Sequence, residues 1–403
     1  MAPYEAGEQD PIIVFDMGGD QNLFWSTYFA AQELGRTFRY LTLDHELHSF
    51  TFPPFQAIPP KKRNVIHISQ LLVAAFHLDH GLIYGGNYFT HANLAALLHV
   101  ARQLFKDNRN ATLEDVSHYL DNPRVRKSFK DAEQIRMAFS FLMEYPQLQS
   151  SRDPEMEINL DRSLQNCEVI YFFCPTLQEP LTAPIVAGLG LYTLLNTCIR
   201  RKRSGQPRRL VRVIIDEFQD LLSLSLSRFL AQCRKFDIPT VILANQSTSQ
   251  LTSRDLSLAD QVFEGCAIRQ YFTSLGDDLT VLQSLSDTVM DVTTGLSQGG
   301  MLTASVQRTE KEMPSLHPNT IREVTGRFGF SFVCLNDGTG HRNPIIVSQV
   351  HSGADHGHLP MPRRTCEPTE DSEPSSDGKM WQSALALLWE EIVREGRGAP
   401  KEP

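Results

Sequence analysis

Between Arg212 and Gln246 the chain sets two short apolar runs on either side of a helix-length segment, and this arrangement leaves few folds open. Val213-Ile214-Ile215 stops on two adjacent carboxylates, Asp216 and Glu217. Leu222 to Phe236 follows at helical spacing, and Thr240-Val241-Ile242-Leu243-Ala244 then stops on Asn245 and Gln246. Apolar runs this short, without polar alternation, read as neighbouring parallel strands buried on both faces. Their polar ends then lie at strand carboxyl termini, the edge of an open α/β sheet where ligands bind. A strand ending in Asp-Glu fits the Walker B strand of a phosphate-hydrolysing motor. There the Asp holds Mg²⁺ through water, and the Glu orients and deprotonates the attacking water. The same pair also fits a plain helix start, its charge satisfied by the macrodipole.

The 403 residues suffice for one large α/β domain with an insert or tail. An apolar fraction of 41% and a charged fraction of 21% are those of an ordinary globular protein. No run approaches the roughly 18 consecutive apolar residues of a membrane-spanning helix, and the first residues lack the pattern of a signal peptide, so the expected compartment is the cytoplasm. The formal net charge of -9 argues against a surface that is basic all over, but not against local contact with nucleic acid. The seven cysteines lack CxxC spacing and read as small buried hydrophobes. His351, His356 and His358 read as a solvated loop beside the tail rather than a metal site.

Taken in order, Ile12 to Phe15 is an apolar run that ends on Asp16 and opens into Met17-Gly18-Gly19-Asp20, a strand and a glycine-permitted turn. A helix over Leu23 to Leu34 and a strand over Phe38 to Leu43 make the opening β-α-β. From Ser69 to about Tyr145 the signals are helical, with predicted helices at 70–76, 90–105, 112–120 and 132–145, the third opening on a Thr-x-x-Asp cap. Glu168 to Cys174 is another buried strand, and 182–203 a long apolar helix ending in Arg200-Arg201-Lys202-Arg203. With Arg208 and Arg209 just beyond, that basic run reads as a helix end complementing the macrodipole, or as a phosphate contact, although no aromatic residues interleave it.

Farther on, Ala267 to Phe272 reads as a strand and Asp277 to Leu285 as a helix. Residues 310–327 look like a short surface excursion with a helical Thr320 to Val324. Phe330 to Leu335 and Pro344 to Val350 pair as a hairpin across Asp337-Gly338-Thr339-Gly340. From about 352 the Pro, Ser, Glu and Gly content predicts a disordered tail, with a possible short helix at 380–394 around Trp381 and Trp389. Neither GxGxxG nor GxxxxGK[ST] occurs anywhere in the chain.

These stretches, in this order, resemble the conjugative coupling proteins of the TraD/TraG branch of the RecA/FtsK-like motors of type IV secretion. The resemblance runs from about residue 11 to 350. It is carried by Val14-Phe15-Asp16-x-Gly18-Gly19-Asp20, Val213-Ile214-Ile215-Asp216-Glu217-Phe218, Leu230-x-x-x-Arg234-x-x-x-Ile238, Gln246-Ser247-x-x-Gln250-Leu251 and the Asn87 to Leu98 helix. It implies a RecA-like, mostly parallel sheet flanked by helices, with an all-α insert and a disordered C-terminal tail. The implied division is 11–60 and 156–350 for the α/β body, 61–155 for the insert and 351–403 for the tail.

The resemblance also implies ATP and Mg²⁺ as cofactors. Asp216 would sit at the metal, Glu217 would be the catalytic base, Gln246 would sense the γ-phosphate, and Arg234 would contact nucleotide or a neighbouring subunit; Arg234 also fits a plain helix-end cation. The implied partners are further copies in a ring, DNA, and relaxosome or secretion-system proteins, with the insert as the recognition domain and a location in the cytoplasm, or at the inner membrane through partners or an anchor. In the family a P-loop precedes the strand that matches Ile12–Asp16, and its lysine and backbone nest are missing here. The chain is therefore expected to be either a fragment of a motor or a relative deficient in hydrolysis. The alternatives are a non-enzymatic RecA-like scaffold, or a HerA-like DNA-processing ATPase outside conjugation.

Overall fold

The computed structural model describes residues 10–55, 65–76, 86–107, 110–252, 256–272, 277–285, 288–299, 303–314, 316–327, 329–335, 345–350 and 355–363. The chain divides into two compact units, one of Met1–Ser225, Gln232–Ala244 and His356–Pro403, the other of Leu226–Ala231 and Asn245–Asp355. The elements in chain order are β1 (Ile12–Asp16), α1 (Gln21–Glu33), β2 (Phe38–Thr42), α2 (Val65–Ala75), α3 (Gly86–Asp107), α4 (Leu113–Leu120), α5 (Pro123–Ser128), α6 (Glu133–Met143), α7 (Leu160–Gln165), β3 (Val169–Phe173), α8 (Thr182–Arg203), β4 (Arg212–Asp216), α9 (Leu224–Gln232) and β5 (Thr240–Leu243). Then come α10 (Thr248–Thr252), α11 (Leu256–Gly265), β6 (Ile268–Tyr271), α12 (Asp277–Leu285), β7 (Thr288–Gly299), β8 (Thr303–Pro314), α13 (Pro318–Thr325), β9 (Phe330–Leu335) and β10 (Ile346–Gln349).

In the first unit the strands form one parallel sheet in the order β2-β3-β1-β4-β5. The sheet is the α/β core predicted from the apolar runs, and β2 and β3 are buried along their whole length. One face carries an aromatic cluster centred on Phe24 of α1. Its ring meets Phe38, Tyr40, Tyr171 and Phe173 edge-on, at centroid distances of 5.5, 5.1, 5.3 and 6.1 Å. On the other face Phe15 and Phe172 stack at 4.8 Å beneath α8. The helix lies so close that a Cβ on Gly190 would fall 2.9 Å from both rings.

By length and composition α8 could cross a membrane, but it is a core helix here, with Ala183, Val186, Leu189, Leu191 and Leu194 buried. The all-α insert packs on that helix through α2 and α6. Phe76 and Phe139 stack at 5.1 Å inside it. The Thr112–Asp115 capping box expected for α4 is present, with the Asp115 amide donating to Thr112 Oγ1 at 3.2 Å and the Thr112 amide to Asp115 Oδ2 at 2.8 Å. A helix not foreseen, α5, starts on Pro123 behind the Asn122 cap, where its proline is tolerated at the first turn.

The second unit holds a three-stranded antiparallel sheet in the order β10-β9-β6 around Leu282, Ile321, Phe332 and Cys334, together with a separate two-stranded ribbon. The β9–β10 pairing matches the expected hairpin, although its turn at 336–344 lies outside the described residues. The ribbon corrects the reading of 310–327 as a surface excursion. Thr288–Gly299 and Thr303–Pro314 pair antiparallel throughout, and α13 follows. Prolines at 314 and 318 dominate the local signal, yet they sit at the ribbon's end and at the helix start, positions where they cost nothing.

Part of the stretch assigned to the tail is docked on the first unit. Leu359 and Met361 are buried, Trp25 Nε1 donates to the Leu359 carbonyl at 3.2 Å, and Leu47 bridges to Arg363. The apolar pair in Leu359-Pro-Met361 gives this stretch the area to offset its ordering entropy. The helix predicted at 380–394 lies outside the described residues.

The contact between α2 and α8 is backbone against backbone, since a Cβ on Gly188 would lie 2.9 Å from the Ala75 carbonyl oxygen and 3.0 Å from its Cα. Gly188→Ala is therefore expected to destabilise the first unit by about 1–3 kcal/mol despite its better helix propensity. Urea unfolding followed by circular dichroism checks this, and unchanged or increased stability would show that α2 can shift freely.

Candidate functional site

The parallel register sets Asp16 of β1 beside Asp216 of β4 at the carboxyl edge of the sheet. After Asp16 the chain must turn at once into α1, and the Asp16 carboxylate holds that turn. Its Oδ1 accepts from the Gly19 amide at 2.7 Å, and its Oδ2 from the Asp20 amide at 3.0 Å and from the Tyr171 hydroxyl at 2.7 Å. Gly19 has φ +75°, in the left-handed region, and a Cβ there would meet Pro175 at 2.8 Å. Gly18 has no side chain because the carboxylates occupy the space: a Cβ would lie 3.2 Å from Asp216 Oδ2 and 3.3 Å from Glu217 Cγ. Asp20 caps α1 by accepting from the Asn22 amide at 2.8 Å.

Burial pushes the Asp16 carboxyl up to about 6; the hydrogen bonds from Tyr171 and Gly19 work against that, and the charge of Asp216 adds to it. Asp216 is half-buried and is also raised, first by burial and then by the charge of Glu217. Glu217 follows with φ 49° and ψ 46°, a left-handed conformation that a residue with a Cβ rarely adopts. The turn that forces it is pinned, because the Phe218 amide donates to the Ala244 carbonyl at 3.1 Å and Thr176 Oγ1 donates to Asp220 Oδ2 at 2.6 Å. Gln219 Nε2 donates to Glu217 Oε2 and fixes that carboxylate.

Asp216 ends β4 and Glu217 follows it into the turn. Asp16 and Tyr171 were missed as members of the same constellation, although Asp16 already stood at a strand end as Asp216 does. Tyr171 carries no local signal, because only sheet pairing brings it there.

Gln246 and Arg234 were also expected at the site. Gln246 follows Leu243 by three residues, belongs to the second unit and is exposed. In its motif Asn245 Nδ2 donates to the Ser247 carbonyl at 2.6 Å, and Gln250 Oε1 accepts from the Ser247 amide at 3.3 Å. Arg234 is exposed in the 3₁₀ turn Cys233–Phe236, which leads to the amino end of β5. Since β4 and β5 run parallel, it is at the opposite end of the sheet from Asp216.

Among the described residues no three His, Cys, Asp or Glu side chains form a metal cage. Asp16 is committed to three donors, which leaves Asp216 as the carboxylate to approach an ion. One carboxylate with water fits Mg²⁺, which keeps much of its hydration shell and takes its remaining ligands from phosphate.

Nothing in the described residues pairs with the outer edge of β5. Ile242 there is 51% exposed, whereas the opposite edge of the sheet is covered by the Phe50 amide donating to the Tyr40 carbonyl at 3.0 Å. A bare apolar edge is a template for one more strand.

A carboxyl raised by burial binds its proton more tightly in the folded chain than in the unfolded one. Asp16 therefore lowers stability progressively as pH rises from about 4 through 6. Removing the Tyr171 hydroxyl takes away a stabilising donor, so Tyr171→Phe is expected to raise the Asp16 pKa further and to cost about 1.5–3 kcal/mol at pH 7, less at pH 5. Carboxyl-carbon NMR and urea unfolding at both pH values check this; an equal cost at both would remove Asp16 as the cause.

No protein-family model and no curated protein matches the chain. Solved structures do. The unbound bacterial conjugative coupling protein TrwBdeltaN70 superposes with a TM-score of 0.56 at 14% identity, covering 89% of this chain and 92% of its own. The plasmid coupling protein TrwB in complex with ADP and Mg²⁺ gives 0.58 at 13% identity, over 88% of each chain. VirB4 of Thermoanaerobacter pseudethanolicus gives 0.50 at 11% identity, over 86% of this chain and 82% of its own. At these identities the agreement is one of fold, and the fold is that of the conjugative coupling proteins, as the sequence motifs imply.

Proposed function

We propose that this chain is the ATPase body of a TraD/TraG-like coupling protein in a conjugative DNA-transfer, type IV secretion system, acting in the cytoplasm as one member of a homo-oligomeric ring. The observation that carries the reading is Glu217, held in a left-handed conformation directly after Asp216 at the carboxyl end of a parallel strand. Strain of about 1–3 kcal/mol at one residue persists where the surroundings impose it, and such positions cluster at active sites. Asp216 would hold a hydrated Mg²⁺, which would supply positive charge for the phosphates of ATP. Glu217, oriented by Gln219, would take the proton of the attacking water. Gln246 is assigned to sensing the γ-phosphate. Arg234, lying at the far end of the sheet, is assigned to a contact with the nucleotide of a neighbouring copy. The TrwB complex with ADP and Mg²⁺ supports this choice of cofactors.

The phosphate-cradling motif of such motors, GxxxxGK[ST], does not occur in these 403 residues. The edge of β5, with which no described strand pairs, suggests where it belongs. A strand paired there in parallel would deliver its following turn to the same edge as Asp216 and Glu217. The absence of that motif equally favours a second reading, a scaffold that has given up hydrolysis and recruits relaxosome proteins and DNA.

Calorimetric titration separates the two. Residues 1–403 alone are expected to bind Mg·ATP no more tightly than millimolar, and micromolar binding would place a phosphate site at Gly18-Gly19 instead. When a strand with GxxxxGK[ST] is joined ahead of residue 10, binding and hydrolysis are expected to appear. Glu217→Gln should then lower turnover by about 10²–10⁴-fold while leaving nucleotide affinity nearly unchanged. Binding without turnover in the joined chain carrying Glu217 would favour the scaffold.

A further inference from the structure

At the amino-terminal edge of the sheet, opposite the carboxylates, a cavity of about 260 Å³ opens between the end of α8, the loop leading into β4 and the 3₁₀ turn ahead of β5. Arg201, Lys202, Arg208 and Arg209 line it, and Pro207 and Phe236 form part of its apolar wall. We propose that this cavity seats one nucleotide unit of a single-stranded nucleic acid, its phosphate on the cations and its ring against Phe236. The proposal shares with the function argued above only the class of partner, and it involves neither ATP nor Glu217.

The charge count is the first support. Among the described residues two carboxylates, Asp161 and Asp237, serve the whole cluster. Asp161 Oδ1 lies 3.1 Å from Arg201 and 3.5 Å from Arg200, and Asp237 Oδ1 lies 2.8 Å from Arg208 and 4.0 Å from Lys202. Four cations thus share two anions, and Arg209 adds a fifth whose Nε is buried without a hydrogen-bond partner. On a chain with a formal net charge of -9 this is a local reversal of sign. An anion entering the cavity would gain a charge-assisted hydrogen bond from Arg209 Nε, which has no hydrogen-bond partner among the described residues.

The second support is the ring. The basic run itself contains no aromatic residue, but the fold brings Phe236 from the far side of α9 into the same cavity. Cations beside an aromatic face are the elements that single-strand binding sites combine. Size decides between a strand and a free cofactor. The cavity is below the roughly 300–1,000 Å³ that encloses a whole cofactor, and Lys202 and Arg208 at its rim are themselves exposed. Room for one unit, with open cations beyond it, suits a chain that passes over the opening.

Fluorescence anisotropy with a labelled oligothymidylate of about 20 nucleotides, titrated with the full chain across a salt series, tests the site. Arg209→Ala and Lys202→Ala are each expected to weaken binding about three- to tenfold and to reduce the slope of log K against log salt by about 0.7. Arg209→Lys should keep that slope. Phe236→Leu should weaken binding about fivefold or more with the slope unchanged. Arg124→Ala, the same loss of charge on the exposed start of α5, should do neither, and all variants should retain the parent's thermal unfolding. Failure of the parent chain to bind the oligonucleotide would overturn the proposal. So would parental affinity and slope in both Arg209→Ala and Lys202→Ala, an equal effect of Arg124→Ala, or full displacement of the oligonucleotide by micromolar AMP.

Discussion

A parallel sheet has no face to spare for water, and the first unit is built around that constraint. Each strand must be apolar in both directions, and helices must cover both sides. On one side α1 does this with aromatic rings arranged edge to face around Phe24. On the other, α8 comes within backbone distance of Phe15 and Phe172 through Gly190, and through Gly188 it receives α2 of the insert. The insert is thereby tied to the sheet through the helix that covers it, which explains why it clusters with the sheet.

The same constraint concentrates the polar chemistry at strand ends. Asp16 and Asp216 come into register because β1 and β4 start together, and the first is consumed in holding a turn. Burial raises both carboxyls, so the site stores electrostatic cost that a divalent cation would relieve. At the opposite end the basic run is folded back on Asp161 and Asp237, which removes like charges from one another without neutralising the cluster. A single sheet thus carries an acidic edge and a basic edge, separated by the length of its strands.

Much of the first unit was legible because its signals are local. Runs such as Ile12 to Phe15 and Val213 to Ile215 have one stable use, and turns such as Gly18-Gly19 and caps such as Thr112 with Asp115 act within a few residues of themselves. The second unit was read less well. The β7–β8 ribbon pairs residues on a mixed polar pattern, and prolines at its margins gave a stronger loop signal than its strands gave a sheet signal. The stretch 355–363 was read by composition as tail, but two buried side chains and one tryptophan hydrogen bond were enough to dock it.

By itself the sequence determined the class of the fold and the identity of the acidic pair. Both follow from hydrophobic burial acting on short runs and from the carboxylates that end them. Only the tertiary structure decided that Asp16 is held by a hydroxyl, since that depends on Tyr171 arriving from a neighbouring strand. It also decided that Glu217 takes a left-handed conformation, that Arg234 stands at the far end of the sheet, and that Phe236 joins the basic run. Each is a pairing between residues distant in the chain, and no local preference encodes it.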